Sequence, residues 1–536
     1  MHLREADHFP TDTAGLSEAV PSEVVELGDG DEFDLRIAPV SKQLGDTRVR
    51  MLAYNGSIPG PTLRVHQGAQ VVVNVVNDGD LDATVHWHGL RVDNRYDGTH
   101  ETQSPIAIGA SFSYRVTFPD PGVYWYHPHI REDYAQEMGL YGNILVVPAE
   151  AGYWPPVNRE IAVTLDDILL EDGHVAAFSR TEPTYTAMGR FGDVMLVGGE
   201  PELTLTARKG EVVRFFLTDT ANTRVFNVGI PGARMKLVGG DSGHYEREEL
   251  VERVILAPSE RIVLDVLFEN AGALTLEHRT PDRTYSLAAI TVIDEQADPS
   301  FEPDFATLRT HADMAAERER IAPQLEAEPD KTLALVAEMD LGEPEVPDGE
   351  DVVYSCPMHP DVVSDEPGRC PQCGMKLLAT AAAPAAAATA HEHSDAGHVH
   401  DDGGIEWEDD MVEVNRMTTP SNMRWKVIDR ATGAEGAAID WRFRVGERVK
   451  IRLVNEMDSD HPMHHPFHIH GAGRFLILAR DGVPEPNLVW KDTVLVTTGE
   501  VVDLLLEVTN PGRWMAHCHI AEHHESGMMF SFTVEP

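Results

Sequence analysis

The sequence predicts an all-β protein of three consecutive Greek-key sandwiches, and three observations carry that expectation. Short alternating segments separated by turn residues run along the whole chain, with 43 Gly and 35 Pro among 536 residues. That is how strands bounded by turns read. A strand–Gly–strand unit then occurs three times, as LRVHQGAQVVVNVVND (Leu63–Asp78), LTARKGEVVRFFLTD (Leu205–Asp219) and WRFRVGERVKIRLVNE (Trp441–Glu456). A second unit follows each of these and ends near histidine: GASFSYRVTFPDPGVYWYHPHI (Gly109–Ile130), PSERIVLDVLFENAGALTLEHRT (Pro258–Thr280) and TGEVVDLLLEVTNPGRWMAHCHI (Thr498–Ile520). Internal repetition of this kind is primary information about fold.

The repeats divide the chain into domains over 20–150, 155–297 and 330–536. This agrees with a prior of roughly 150 residues per domain. The first copy ends YHPHI and the third AHCHI, whereas the middle copy ends LEHRT and keeps only His278. The middle domain is therefore expected to lack a metal site and to act as a spacer. Charged residues in Met314–Thr332 suggest an exposed helix, and LALVAEMDL (Leu333–Leu341) the first strand of the third sandwich. An insertion over 343–404, with its core at 354–377, interrupts that domain and ends in a low-complexity Ala/His linker.

A formal net charge of -46 excludes nucleic acid as a partner, since phosphates would be repelled. It describes a highly solvated surface, with a field that gathers metal cations as the sharper alternative. No run of about 18 apolar residues is present to span a membrane. The first twenty residues lack a signal-peptide core, so a cytoplasmic protein, or an exported one whose leader is gone, is expected. The four cysteines, Cys356, Cys370, Cys373 and Cys518, form no disulfide framework and read as metal ligands.

Four His-x-His pairs fall within the outer repeats: His86/His88 in VHWHG, His127/His129 in YHPHI, His468/His470 in HPFHIHG, and His517/His519. On a strand, residues i and i+2 share a face. Eight imidazoles exceed the needs of one ion and suit a cluster of several. Cys518, between His517 and His519, must face the other way. His465, His523 and Met528 stand near it in sequence, completing the two-imidazole, thiolate and thioether set of a blue-copper site.

HWHG, HPH, HPFHIHG and HCHIAEHHESGMM together resemble the four copper motifs of the multicopper oxidases, the laccase and cuprous-oxidase family. The resemblance spans Val40–Pro536 apart from the insertion. It implies three cupredoxin-like domains and four copper ions. Type 1 copper would take His465, Cys518, His523 and Met528; type 2 copper would take His86 and His468. The type 3 pair would take His88, His127, His129, His470, His517 and His519. The implied reaction couples four one-electron oxidations, of phenols or aromatic amines or of cuprous ion, to reduction of dioxygen to water. Cys518 would serve electron transfer, and Asp97, in DNRYDGTH, would relay protons. Family members often place glutamate after the second type 1 histidine; His524 stands there, with Glu525 next, which puts the second half of the proton route in doubt. A methionine axial ligand should lower the type 1 potential. A copper storage protein without turnover is the alternative reading, though storage has no need of a Cys–His wire.

YSCPMHPDVVSDEPGRCPQCGMKL (Tyr354–Leu377) resembles a small heavy-metal-binding domain, with Cys356, His359, Cys370 and Cys373 as ligands for an extra copper or a zinc ion. HEHSDAGHVH (His391–His400) reads as a solvated linker with some capacity to gather metal. His461, Met463 and His464 would line the approach of cuprous ion or support the type 1 histidines.

Overall fold

The computed structural model describes residues 8–342, 352–381 and 403–536. The tract His391–His400 lies outside them. Among the described residues, three sandwiches follow one another in the chain. The first packs a four-stranded sheet against a five-stranded one that ends in His86–His88. The second packs six strands against five, and the third again six against five. No helix among the described residues is long and apolar enough to cross a membrane.

The repeated strand–Gly–strand units are arches and not hairpins. Thr62–His66 lies in the five-stranded sheet of the first sandwich and Gln70–Asn77 in the other sheet. Leu203–Lys209 with Glu211–Asp219, and Arg442–Arg444 with Arg448–Asn455, cross between sheets in the same way. The glycine at each crossing has positive φ: Gly68 +88°, Gly210 +76° and Gly446 +93°. Only glycine adopts this conformation without a Cβ penalty, so the repeat marks where the chain turns through the core. Apolar residues alternate inward and fill a separate core in each sandwich.

Two expectations change. The helix runs only over Ala312–Leu325, with Pro323 in its last turn, because a proline removes a backbone donor and crowds the preceding turn. Strand structure resumes at Lys331–Met339. Nor is the middle sandwich only a spacer, because its Arg261 grips Asp492 and its Met188 meets His461, both beside the histidine clusters.

Candidate metal centres

The first and third sandwiches bring their histidines together by one shared register. His86–His88 pairs with Gly122–His127, placing His86 opposite His127. His465–Ile469 pairs with Gly512–Cys518, placing His468 opposite His517. These two sheet edges face each other. The His88 and His468 rings stack with centroids 3.8 Å apart, and His86 lies 4.1 Å from His470. All eight expected rings are buried, none more than 2 % exposed.

Hydrogen bonds decide which nitrogen of each ring is left free. The Nδ1–H of His86 donates to the Asp97 carbonyl at 2.7 Å, that of His468 to the Asp492 carbonyl at 2.9 Å, that of His127 to the Pro128 carbonyl at 2.8 Å, and that of His517 to the Cys518 carbonyl at 2.9 Å. His470 donates through Nδ1 to Asp97 Oδ2 at 2.9 Å. A carbonyl only accepts, so the opposite nitrogens carry lone pairs. His88 is reversed: Nε2 is 3.0 Å from Asp492 Oδ1, and Nδ1 is free. Nε2 of His86, His127 and His468 likewise has no partner. The Nε2 atoms of His129, His470 and His517 lie 2.9–3.4 Å from one another. Burial, reinforced by neighbouring rings, pushes His88, His127, His129, His470, His517 and His519 well below the usual imidazole range, leaving them neutral. Burial lowers His86 as well, but the Asp97 carboxyl beside it outweighs that and raises it; the neutral rings converge their lone pairs on a space that suits a bound cation.

Buried acids hold the rings. Asp97 caps the short Asn94–Tyr96 helix and bridges His86 of the first sandwich to His470 of the third. A Cβ on the following Gly98 would stand 1.9 Å from the Val85 carbonyl, so the Asp-Gly turn is required sterically as well. Asp492 holds His88 and His468, and is itself gripped by Arg261 of the middle sandwich, with Nη1 to Oδ1 at 2.7 Å. Burial raises the Asp492 carboxyl, but Arg261 outweighs that and keeps it well below the carboxylate range.

Next to His523, His524 does not stand alone. Its Nδ1 is 3.4 Å from Glu132 Oε2, and Glu132 Oε1 is 3.3 Å from His129 Nδ1. Glu525 accepts a hydrogen bond from the Glu132 backbone at 3.2 Å. Burial, with the nearby Asp133 charge, pushes the Glu525 carboxyl up to about 7.

Cys518 points away from the histidine cluster, into the core of the third sandwich. Its Sγ is 3.6 Å from His465 Nδ1 and 3.8 Å from His523 Nδ1. Ile520 donates its backbone N–H to Sγ at 3.4 Å. Met528 is fully buried, and its backbone joins both His523 and Cys518. Burial raises the Cys518 thiol; a thiolate in this apolar site needs a cation beside it. Trp425 stacks on His523 with centroids 4.0 Å apart and meets His465 edge-on.

The insertion forms its own small sheet and gathers four side chains that could hold a metal ion. Cys356 Sγ is 3.6 Å from Cys373 Sγ and 3.7 Å from His359 Nδ1, and Cys370 Sγ is 3.6 Å from the same nitrogen. Ligands about 2.3 Å from one tetrahedral ion stand about 3.7 Å apart. Its hydrogen bond from Cys373 lowers the Cys356 thiol to about 5.

The sequence reading missed Asp492, Arg261, Glu132, Trp425 and Met188. Asp492 left one trace, a charged residue within the apolar run VWKDTVLV, and Glu132 another, as an acid just after HPHI. Arg261 and Trp425 come from distant strands and Met188 from a distant turn, and they carry no local signal.

Thiolate and imidazole donors together favour copper redox chemistry, and the class these sites define is a copper-dependent oxidoreductase. Comparison with known proteins agrees. Multicopper oxidase family models match residues 39–151 and 408–536, and a heavy metal binding domain model matches 353–380. The chain is 27 % identical over 518 residues to multicopper oxidase MmcO of Mycobacterium tuberculosis, covering 91 % of this chain and 84 % of that one. It is 25 % identical over 575 residues to a copper resistance protein A homolog of Pseudomonas syringae pv. tomato, covering 94 % and 92 %. In fold it is similar to a multicopper oxidase from Campylobacter jejuni described as a metallo-oxidase, with TM-score 0.64, 20 % identity and 98 % of each chain covered. The chain belongs to the multicopper oxidase family and carries an inserted heavy metal binding domain.

Proposed function

We propose that this oxidase holds four copper ions and takes electrons from phenols, aromatic amines or cuprous ion, with cuprous ion favoured. His465, Cys518, His523 and Met528 would hold type 1 copper, and His86 and His468 type 2. His88, His127, His129, His470, His517 and His519 would hold the type 3 pair. Bound there, the coppers would supply single-electron transfer and dioxygen reduction to water. The observation that carries this reading is Cys518 facing one donor set while its neighbours His517 and His519 face another, a few covalent bonds away.

The chain's own residues do the rest. Four backbone carbonyls fix ring tautomers, so the lone pairs aim inward before any metal arrives. Trp425 covers the two type 1 histidines and keeps water off them. Asp97 orients His470 through Oδ2, and its Oδ1, buried without a hydrogen-bond partner, is placed to hand a proton into the cluster. A Met528 thioether holding the type 1 copper would keep its potential low to moderate, which a redox titration checks. The insertion tilts the substrate toward copper, as do copper-resistance and metallo-oxidase relatives. Storage without turnover has no such support.

The test is Cys518→Ser in the copper-loaded protein. The intense blue band and all oxygen uptake, on phenol and on cuprous ion alike, should vanish. Retained turnover would end this reading.

A further inference from the structure

We propose that the inserted domain is a docked donor that passes cuprous ion to a second soft site, Met188 Sδ with His461 Nε2, beside the type 1 histidines. This rests on the oxidase reading above and names its reductant and the path that reductant takes.

The first observation is the pair itself. His461 Nε2 lies 3.1 Å from Met188 Sδ, Met188 coming from the middle sandwich and His461 from the third. Both are fully buried, and His461 Nδ1 has no partner. Burial pushes the His461 imidazole down to about 4, so it stays neutral; its one proton, on Nε2 toward the Met188 sulfur, moves to the unpartnered Nδ1 when Nε2 takes up an ion. A thioether with one imidazole is a soft, uncharged donor set that suits cuprous ion above zinc or cupric ion. Trp425 meets the His461 ring at 5.9 Å and stacks on His523, so the pair lies one indole away from the type 1 donors.

The second observation is independent of the first. The insertion is fastened to the turn that leads into His461. Lys376 donates its backbone N–H to the Asp460 carbonyl at 2.9 Å and its Nζ to Met339 at 2.8 Å. Arg369 bonds Asp458 at 3.0 Å and the Ser459 carbonyl. Met375 of the insertion is fully buried in the same packed cluster as Met188, Met463, Cys518 and Met528, and Met358 and Cys373 pack against that cluster. The thiolate site and the His461 site thus border one packed core that holds Met188, Met375 and Met463, so soft thioether donors lie in the region between them. A freely tethered metal trap would not show this clamp.

The chemistry balances. Each cuprous ion gives one electron to the oxidase and leaves as cupric ion. Four such ions match one dioxygen and four protons becoming two waters.

The test uses the copper-loaded full chain. Anaerobic competition with bicinchoninate counts cuprous ions bound beyond the resident coppers. Met188→Leu, which keeps volume, should lose one of them and raise KM for cuprous ion. Arg369→Ala with Lys376→Ala, which loosens the clamp, should keep the bound number. It should raise KM for cuprous ion at least about tenfold, because a docked donor acts at high effective concentration. Its rate on a phenol should be unchanged. An undiminished cuprous count in Met188→Leu, or an unaltered cuprous KM in the clamp variant, overturns the proposal. An insertion that binds zinc and no cuprous ion overturns it too. A wild-type protein that oxidises neither phenol nor cuprous ion would instead overturn the oxidase reading.

Discussion

The middle sandwich and the outer two share a backbone register but not a chemistry. Val228 stands opposite His278 on the two neighbouring strands where the first sandwich sets His86 opposite His127 and the third sets His468 opposite His517. His278 accepts the Asn227 backbone N–H on Nδ1 at 2.9 Å, which leaves its proton on Nε2. Four of the outer rings donate from Nδ1 to carbonyls, which leaves a lone pair on Nε2. The difference is whether a ring donates its N–H and keeps its lone pair free, as the outer rings do, or spends the lone pair on a backbone N–H, as His278 does. Lacking a histidine cluster of its own, the middle sandwich braces the others: Arg261 grips Asp492 beneath two histidines, and Met188 meets His461.

That bracing gives the largest expected effect. Arg261→Leu strands the Asp492 charge, with both partners buried. Removing one member of a buried ion pair costs about 3–5 kcal/mol. Urea denaturation should show a loss in that range, and the cluster should lose copper. Arg234→Leu in the same sandwich breaks a half-exposed pair with Glu269, where about 0–1 kcal/mol is expected. Equal losses from the two variants would reduce Arg261 to an ordinary surface charge.

Asp97→Asn comes next. The amide still accepts from His470, but it removes a charge from a buried bridge between sandwiches. Losing a partner behind a ligand costs about 10–100-fold in activity or metal affinity. Turnover should fall within that range while the blue band of the separate Cys518 site persists. Unchanged turnover across pH would confine Asp97 to its turn with Gly98.

The sequence revealed the parts whose signal is local. Strand alternation, the Gly at each arch and the spacing of HWH, HPH, HIH and HCH are contained in runs of a few residues, so the three sandwiches and the candidate ligands could be read directly. Whether each arch joined one sheet or two could not, since Gly68 fits a hairpin as well as a crossover. The supporting residues were hidden for a different reason. Asp492 lies 404 positions from His88, and Arg261 lies 231 from Asp492. Only folding brings them together, and an arginine in a strand reads as solvated until its carboxylate is found. The reading of the middle domain as spacer failed because it counted ligands and could not see braces.

The smallest expected effect bears most directly on the comparison. Val228→His rebuilds in the middle sandwich the facing histidine pair that the outer two possess. If residue type alone made a ligand, the variant would bind an additional copper. The hydrogen bonds argue otherwise, since the Asn227 N–H occupies Nδ1 of His278, and among the described residues no carboxylate bonds that ring as Asp97 and Asp492 bond the outer ones. Copper per chain should therefore equal wild type by elemental analysis, with the blue band unaltered. Added copper in Val228→His would mean that facing imidazoles suffice and that ring tautomer is set by the metal.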